Sequence, residues 1–305
     1  MIAITGASGF IGSYLTATLD HPQKRLSRKK IEEPGWLTGD LSNKADVAAF
    51  VKNSPVLIHL ACTTHPRTSN LNIQQDLYSN LISTVNLLES YAELNPDGHI
   101  IFSSTGGNMY YPSPNALLHC ESELPCPQSS YGIHKLTAEN YLRLICDMYG
   151  IKGTILRISN PYGLLLPKER VQGLIGVAFA KIIANEKLQI FDSMDSVRDY
   201  IHLSDVTAAF KLVIDNPPKK NVCRLYNVGS GQSHTLKEVI SFIESVTRTP
   251  LTKYFSSTPL PPPTYSVLSY KKISDELGWK PTINLRDGLE GMWQNIQKLQ
   301  LAHHL

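Results

Sequence analysis

The N-terminal stretch constrains the fold most. Ile2-Ala3-Ile4-Thr5 is a short apolar run, Gly6-Ala7-Ser8-Gly9-Phe10-Ile11-Gly12 follows it, and Ser13 to Leu19 continues with helical apolar spacing. A G-x-x-G-x-x-G match counts only between a strand and a helix, and that is where this one stands. Gly6 allows the tight turn, Gly9 lets the backbone approach a pyrophosphate at the helix N-terminus, and Gly12 lets the helix pack close to the strand. The stretch reads as a dinucleotide turn contacting its ligand through Gly6, Gly9, Phe10, Ile11 and Gly12. The alternative is a plain strand-to-helix turn.

The following segments suit the same kind of sheet. A second strand should end near Leu26-Ser27, where Ser27 replaces the usual ribose-binding acid and Arg28-Lys29-Lys30 follow. Small polar and basic residues there suit a 2′-phosphate; a solvated basic loop is the alternative. In Gly39-Asp40-Leu41-Ser42, Asp40 is expected at the adenine with Leu41 beside it, and Ser42 at the cap of a helix from Lys44. Val56 to Ala61 is apolar enough for a parallel strand covered on both faces, with Leu60-Ala61-Cys62 ending beside the pyrophosphate. His59 within it reads as a hydrogen-bonded core residue. Asp76 to Leu94 is helical, with apolar Leu77, Leu81, Leu87 and Leu88, and Asn80 is expected to reach the cofactor. Ile100-Ile101-Phe102 delivers Ser103-Ser104-Thr105-Gly106-Gly107, placing Ser104 or Thr105 in the crevice at the strand's carboxyl end. Ordinary turn chemistry is the competing reading of these hydroxyls.

Tyr131-Gly132-Ile133-His134-Lys135 opens another helical run. Residues four apart share a helix face, so the Tyr131 hydroxyl and the Lys135 ammonium can converge on one bound molecule. A cation beside a phenol favours the phenolate, which would let Tyr131 exchange protons with an alcohol. An exposed Tyr and Lys with no common task is the alternative.

Composition narrows the classes. A chain of 305 residues with 42% hydrophobic and 18% charged residues can bury a sizeable core. A formal charge of +3 is too slight to suggest nucleic acid. No apolar run is long enough for a bilayer, and Met1 leads into a strand-like run rather than a secretory leader. Cys62, Cys120, Cys126, Cys146 and Cys223 form no C-x-x-C pair and no grouping with histidine. They read as reduced thiols in a cytoplasmic protein without a metal.

Taken together, Gly6 to Gly12, Asp40, His59-Leu60-Ala61, Ser103-Ser104-Thr105 and Tyr131 with Lys135 resemble the extended short-chain dehydrogenase/reductase family. Leu156 to Gly163, Val197 to Asp205, Glu276-Leu277-Gly278-Trp279-Lys280-Pro281 and Leu285 to Leu289 resemble its nucleotide-sugar epimerase/dehydratase branch. The resemblance implies Tyr131 as proton-exchanging base, Lys135 on the nicotinamide ribose, and Ser104 or Thr105 orienting the sugar hydroxyl. Asn160 and Arg198 would contact the phosphates, a task that bidentate bonding suits to Arg198. Arg157 is expected to pair internally. Two departures stand out. The stretch Ser103 to Tyr110 is one residue longer than usual, and Thr258-Pro259-Leu260-Pro261-Pro262-Pro263, read as a stiff surface segment, replaces a second phosphate-binding Arg.

The expected architecture is α/β: a Rossmann-type doubly wound parallel sheet with a smaller C-terminal substrate lobe. Residues 1–163 would form the dinucleotide-binding domain, with 204–225 returning to it. Residues 164–203 and 226–305 would form the lobe. The expected function is a UDP-hexose 4-epimerase with tightly held NAD, NADP being possible. The alternatives are an NADPH-dependent 4-ketosugar reductase and an inactive cofactor-binding regulatory protein. A dehydratase is disfavoured because Thr105-Gly106-Gly107 lacks an acidic pair. In the resembled family the helices matching Asp76–Leu94 and Ser130–Tyr149 pair across a two-fold axis, so a homodimer is expected.

Overall fold

Strand alternation explains the core. In the computed structural model, which describes residues 1–111, 117–169, 172–191, 193–256 and 265–302, β1 (Ile2–Thr5) is buried throughout. Ala3 faces one core, and Ile2 and Ile4 the other. α1 (Phe10–Thr18), β2 (Gln23–Ser27), β3 (Trp36–Thr38), α2 (Lys44–Val51) and β4 (Val56–His59) follow. Next come α3 (Ile73–Asp76), α4 (Ser83–Leu94), β5 (His99–Thr105), α5 (Ser130–Tyr149) and β6 (Lys152–Ile158). The alternation repeats in β4, β5 and β6: Leu57, Ile100, Phe102 and Ile155 join one cluster, and Ile58, Ile101, Leu156 and Ile158 the other. A sheet apolar on both faces needs helices on both faces. Val47, Leu87 and Leu142 of α2, α4 and α5 cover one.

Beyond β6 the chain builds β7 (Asn160–Tyr162), α6 (Leu174–Ala184), β8 (Leu188–Ile190), β9 (Val197–Arg198) and β10 (Tyr200–His202). It then returns to the sheet through α7 (Leu203–Asp215) and β11 (Cys223–Val228). The sheet order is β11-β6-β5-β4-β1-β2-β3, and every pairing in it is parallel. The connections reverse direction between β1 and β4, where open α/β sheets leave a crevice beyond their carboxyl ends. The architecture is therefore the expected doubly wound sheet. The chain closes with β12 (His234–Thr235), α8 (Leu236–Thr247), β13 (Lys253–Phe255), β14 (Tyr265–Ser266), α9 (Lys271–Leu277) and α10 (Leu285–Ala302). Phe179, Ile240, Ile243 and Leu289 form a separate core among α6, α8 and α10.

Three local expectations are revised. Residues 270–279, assigned to the substrate lobe, pack on the sheet instead, since Ile273 and Trp279 join the core that holds Phe210 and Tyr226. Asn43 rather than Ser42 caps α2, its carboxamide oxygen accepting from Ala45 N at 2.9 Å. Ser42 is engaged with Asp40. The long helix from Asp76 is interrupted by a π-helical turn over Leu77–Ile82 before α4 resumes the α-helical pattern. The proline-rich residues 258–263 lie outside the described residues.

His59 is the core residue its sequence context suggests. Its Nδ1 lies 2.6 Å from Thr5 Oγ1, and its Nε2 lies 2.8 Å from Thr84 Oγ1. Burial, aided by Lys135 and His134, holds its pKa down to about 3, and burial does the same for His99. Both histidines ordinarily titrate near 6.5. As pH falls below that value, the unfolded chain takes up protons that the folded chain refuses. Their contribution is therefore intact above about pH 6.5 and lost toward about pH 3. Urea unfolding should show stability falling from about pH 6.5 to about pH 4, and His99→Gln should flatten that fall.

Candidate active site

The glycine turn is built by close approach. Gly6 has φ +67°, and a Cβ there would lie 2.6 Å from Ala61 N, at the end of the β4 segment. A Cβ on Gly12 would meet Gly6 O at 2.1 Å, so α1 can sit against β1 only with glycine there. Gly9 is the N-cap of α1, with no side-chain cap and no acid in the first turn. The positive end of the helix macrodipole thus faces a cavity of ≈ 580 Å³ unopposed by its own side chains, and Gly9, Phe10 and Ile11 line that cavity. These features fit an anionic pyrophosphate.

The opposite wall is set by α5. Ser129 caps it, accepting from Gly132 N at 3.2 Å, and Gly150 ends it at φ +70°. Tyr131 stands in the first turn, with Lys135 and Glu139 one and two turns further along the same face. Lys135 Nζ donates to Ser103 O at 2.9 Å and lies 5.9 Å from the Tyr131 ring. Burial lowers the Lys135 pKa, while Cys62, Glu139 and Asp76 pull it back up. The phenol runs contrary to expectation. Burial, together with the Cys62 and Asp76 charges, drives the Tyr131 pKa above its ordinary value, and only the Thr105 hydroxyl opposes this. In the protein alone Tyr131 is a neutral phenol, suited to give a proton before it takes one.

The two candidate hydroxyls separate. Ser104 Oγ donates to Glu139 Oε1 at 2.6 Å, beneath the site, while Thr105 turns toward Tyr131. Glu139 is gripped by Arg157, Nε at 2.9 Å and Nη2 at 2.7 Å, and Arg157 Nη1 reaches Tyr110 Oη at 2.8 Å. This buried network agrees with an internal role for Arg157. Glu139 escaped notice in the sequence, although its place eight residues beyond Tyr131 on one helix face was the available signal.

From the lobe side, Asn160 and Arg198 both line the cavity. One Asn160 amide hydrogen goes to Asp199 O at 2.8 Å, leaving the second. Arg198 Nη1 donates to Val197 O at 3.0 Å. Leu60 lines the cavity as well, whereas Ala61, Arg28, Asp40 and Leu41 do not. Ala61 N is turned to Thr5 Oγ1 at 3.3 Å. Asp40 accepts from Ser42 N and Oγ, both at 2.8 Å, which together with the Arg28 charge lowers its pKa. Leu41 packs on the core and its carbonyl accepts from Asn86. Asn80 is a correction: its oxygen accepts from Thr63 N at 2.8 Å, and its nitrogen donates to Thr64 Oγ1 at 3.0 Å and Asp76 Oδ1 at 2.9 Å. Its amide holds the loop after β4 and is not open to a ligand. Cys62, expected beside the pyrophosphate at the end of that strand, lines the cavity; what the sequence did not announce is His134 and Asp76 behind it.

A glycine-turn sheet end facing a Tyr–Lys helix across one cleft defines a nicotinamide-dependent hydride-transfer enzyme of short-chain type. The model of the NAD dependent epimerase/dehydratase family matches residues 2–229, and the chain belongs to that family. It is 31% identical to the dTDP-4-dehydro-6-deoxyglucose reductase of Escherichia coli, over 97% of each chain. It is 29% identical to a putative UDP-glucose 4-epimerase of Methanocaldococcus jannaschii, over 95% of this chain and 96% of that one. Among solved structures, the UDP-glucose 4-epimerase of Thermotoga maritima with UDP-glucose superposes with a TM-score of 0.88 at 25% identity, covering 98% of this chain and 99% of that chain.

Removing one partner of a buried ion pair strands the other. Glu139→Gln should therefore lower unfolding free energy by about 3–5 kcal/mol in denaturant titrations. Ser104→Ala, which leaves the ion pair in place, should cost less, about 1.5–3 kcal/mol.

Proposed function

We propose that this protein is a nucleotide-sugar 4-epimerase of the UDP-hexose class. The observation that carries the reading is the convergence of Tyr131, Lys135 and Thr105 on one cavity shared with Asn160 and Arg198. The likeness of shape to the Thermotoga maritima enzyme extends over both lobes and supports it. Bound NAD supplies a hydride acceptor and donor at the substrate carbon and, when oxidised, a positive ring. Once ionised beside Lys135 and the positive ring of the oxidised cofactor, Tyr131 would take the proton of the C4 alcohol and return it after the sugar has turned over. Thr105 orients that alcohol, and the neighbouring Lys135 charge steadies the phenolate and holds the nicotinamide ribose. Asn160 and Arg198 hold the phosphates, so the sugar turns while the nucleotide stays anchored. The adenosine end runs along β2 and β3, which finish side by side with Gly39 N donating to Ser27 O at 3.0 Å; Arg28 and Asp40 stand there. Within this reading, residues 1–163 with the returning α7–β11 segment hold the cofactor, and most of the remainder holds the sugar.

A second reading is an NADPH-dependent 4-ketosugar reductase. It is favoured by Ser27 and the exposed Arg28 in place of an acid, by the neutral Tyr131 phenol, and by the Escherichia coli relative. An inactive regulatory protein is disfavoured, because Tyr131, Lys135 and Thr105 all face the cavity. No helix among the described residues is long and apolar enough to cross a membrane. The free cysteines suit a cytoplasmic setting.

UDP-hexose incubated without added cofactor should equilibrate between C4 epimers. Tyr131→Phe should keep its cofactor and lose ~10²-fold or more in turnover. Lys135→Ala should lose turnover and cofactor affinity together. Stoichiometric NADPH consumption with a 4-keto sugar, and no epimerisation of any UDP-hexose, would establish the reductase reading; Arg28→Asp should then weaken NADPH far more than NADH.

We also propose a homodimer through α4 and α5. Tyr78 at 66% and Ile82 at 51% exposure on the π-helical turn leading into α4, with Ile133 at 55% and Met148 at 66% on α5, offer exposed apolar side chains for it. Light scattering at micromolar concentration should give twice the chain mass, and Met148→Glu with Ile133→Glu should give monomer.

A further inference from the structure

The cavity wall carries a cluster that the proposed reaction leaves unused. Cys62 lies two residues beyond Leu60, partly exposed and lining the cavity between the glycine turn and Tyr131. Its Sγ is 3.7 Å from His134 Nε2, and His134 Nδ1 is 2.9 Å from Asp76 Oδ2. Asp76 is fully buried and receives Ser130 Oγ at 2.6 Å, Asn80 Nδ2 at 2.9 Å and the Thr64 hydroxyl. A carboxylate with that many donors stays ionised, and burial, which opposes this, is outweighed. The ionised carboxylate accepts the Nδ1 proton and so fixes the imidazole tautomer. Nε2 then faces the thiol as its base. Nucleophile, base and orienter stand in the order that activates cysteine elsewhere in protein chemistry.

The surrounding charges act in the same direction. On α5, Lys135 and His134 both favour a Cys62 thiolate and together outweigh the burial that disfavours it. Tyr131, on the same helix, is neutral, and His59 on β4 is held neutral by burial. Asp76 on α3 is the facing anion, and its charge is spent on His134 and the three other donors. On the loop after β4, Thr64 O lies 3.3 Å from Sγ and accepts the S–H proton only while the thiol is protonated. Cys223, by contrast, is pushed upward by Cys146 and by burial.

We propose that Cys62, with His134 as base and Asp76 as orienter, is a peroxide-reactive thiolate site whose oxidation closes the cavity to its ligands. The thiolate attacks one oxygen of hydrogen peroxide and the O–O bond breaks. The leaving hydroxide takes the proton from the His134 imidazolium, giving water, Cys62 sulfenic acid and neutral His134. Sulfur is oxidised by two electrons and the peroxide is reduced by two. The added oxygen then occupies the wall beside Tyr131 and Lys135. The inference rests on these three side chains and not on which sugar reaction the cavity performs.

The test uses the whole protein exposed to hydrogen peroxide and trapped with dimedone, with each cysteine read by mass spectrometry. Cys62 should be labelled at least about tenfold faster than the more accessible Cys126, as a thiolate outpaces a thiol at neutral pH. Its iodoacetamide alkylation should keep its rate well below the ordinary thiol pKa of about 8.5. His134→Gln should move that midpoint upward and slow labelling at neutral pH about tenfold. Asp76→Asn should act in the same direction and serves if His134→Gln does not fold. Oxidised protein should retain NAD more weakly, whereas Cys62→Ser should retain it equally before and after peroxide. Labelling of Cys62 no faster than Cys126, or an alkylation midpoint near that of a free thiol, would overturn the proposal. Failure of the epimerase assay would leave both measurements untouched.

Discussion

The buried pair between Glu139 and Arg157 is the interaction on which the site depends. It ties the middle of α5 to β6 through two charge-assisted bonds, with Ser104 of β5 on the same carboxylate and Tyr110 on the same guanidinium. Burying two charges costs several kcal/mol each, which their mutual attraction repays only when the geometry is good and the remaining polar atoms are satisfied. Here they are, so the pair acts as a register pin. Slide α5 by one turn and Arg157, 2% exposed, loses its partner. Lys135 and Tyr131 inherit their positions from this pin, one and two turns up the same helix face.

The charges above the pin are arranged as a ladder. Glu139 is neutralised below, Lys135 is buried with its proton on Ser103 O, and Tyr131 is held as a neutral phenol by burial and by Cys62 and Asp76. Burial strengthens each of these interactions because little water intervenes. The same cavity wall carries both proposed chemistries, proton exchange at Tyr131 and a nucleophilic sulfur at Cys62. One cation, Lys135, bears on both.

The cavity itself is a product of two lobes. The sheet supplies the glycine turn, α5 packs against it, and β7 and β9 beyond β6 supply Asn160 and Arg198. Asp199 helps join them, accepting from Ser230 N at 2.8 Å and Leu268 N at 3.2 Å while its carbonyl takes the Asn160 amide. Segments from β7, the end of β11 and the approach to α9 are therefore held together at the cavity through this one buried residue.

Local pattern alone determined much of this protein. The glycine spacing, the apolar strands and the Tyr–Lys pair specified the doubly wound sheet and both walls of the cavity, because periodicity and backbone conformation are properties of adjacent residues. Arg157 was legible as an internal residue and His59 as a core one. Only the tertiary structure decided the rest. It separated Ser104 from Thr105, since neighbours on one strand point to opposite faces and one of them met Glu139. It spent Asn80 on a loop, carried residues 270–279 back to the sheet, and raised the Tyr131 pKa that the nearby lysine alone would have lowered. It also brought Cys62, Asp76 and His134 together from three separated segments, which no spacing in the chain announces. Burial and partnership at a distance set hydrogen bonding and protonation, and those are fixed only when the segments pack.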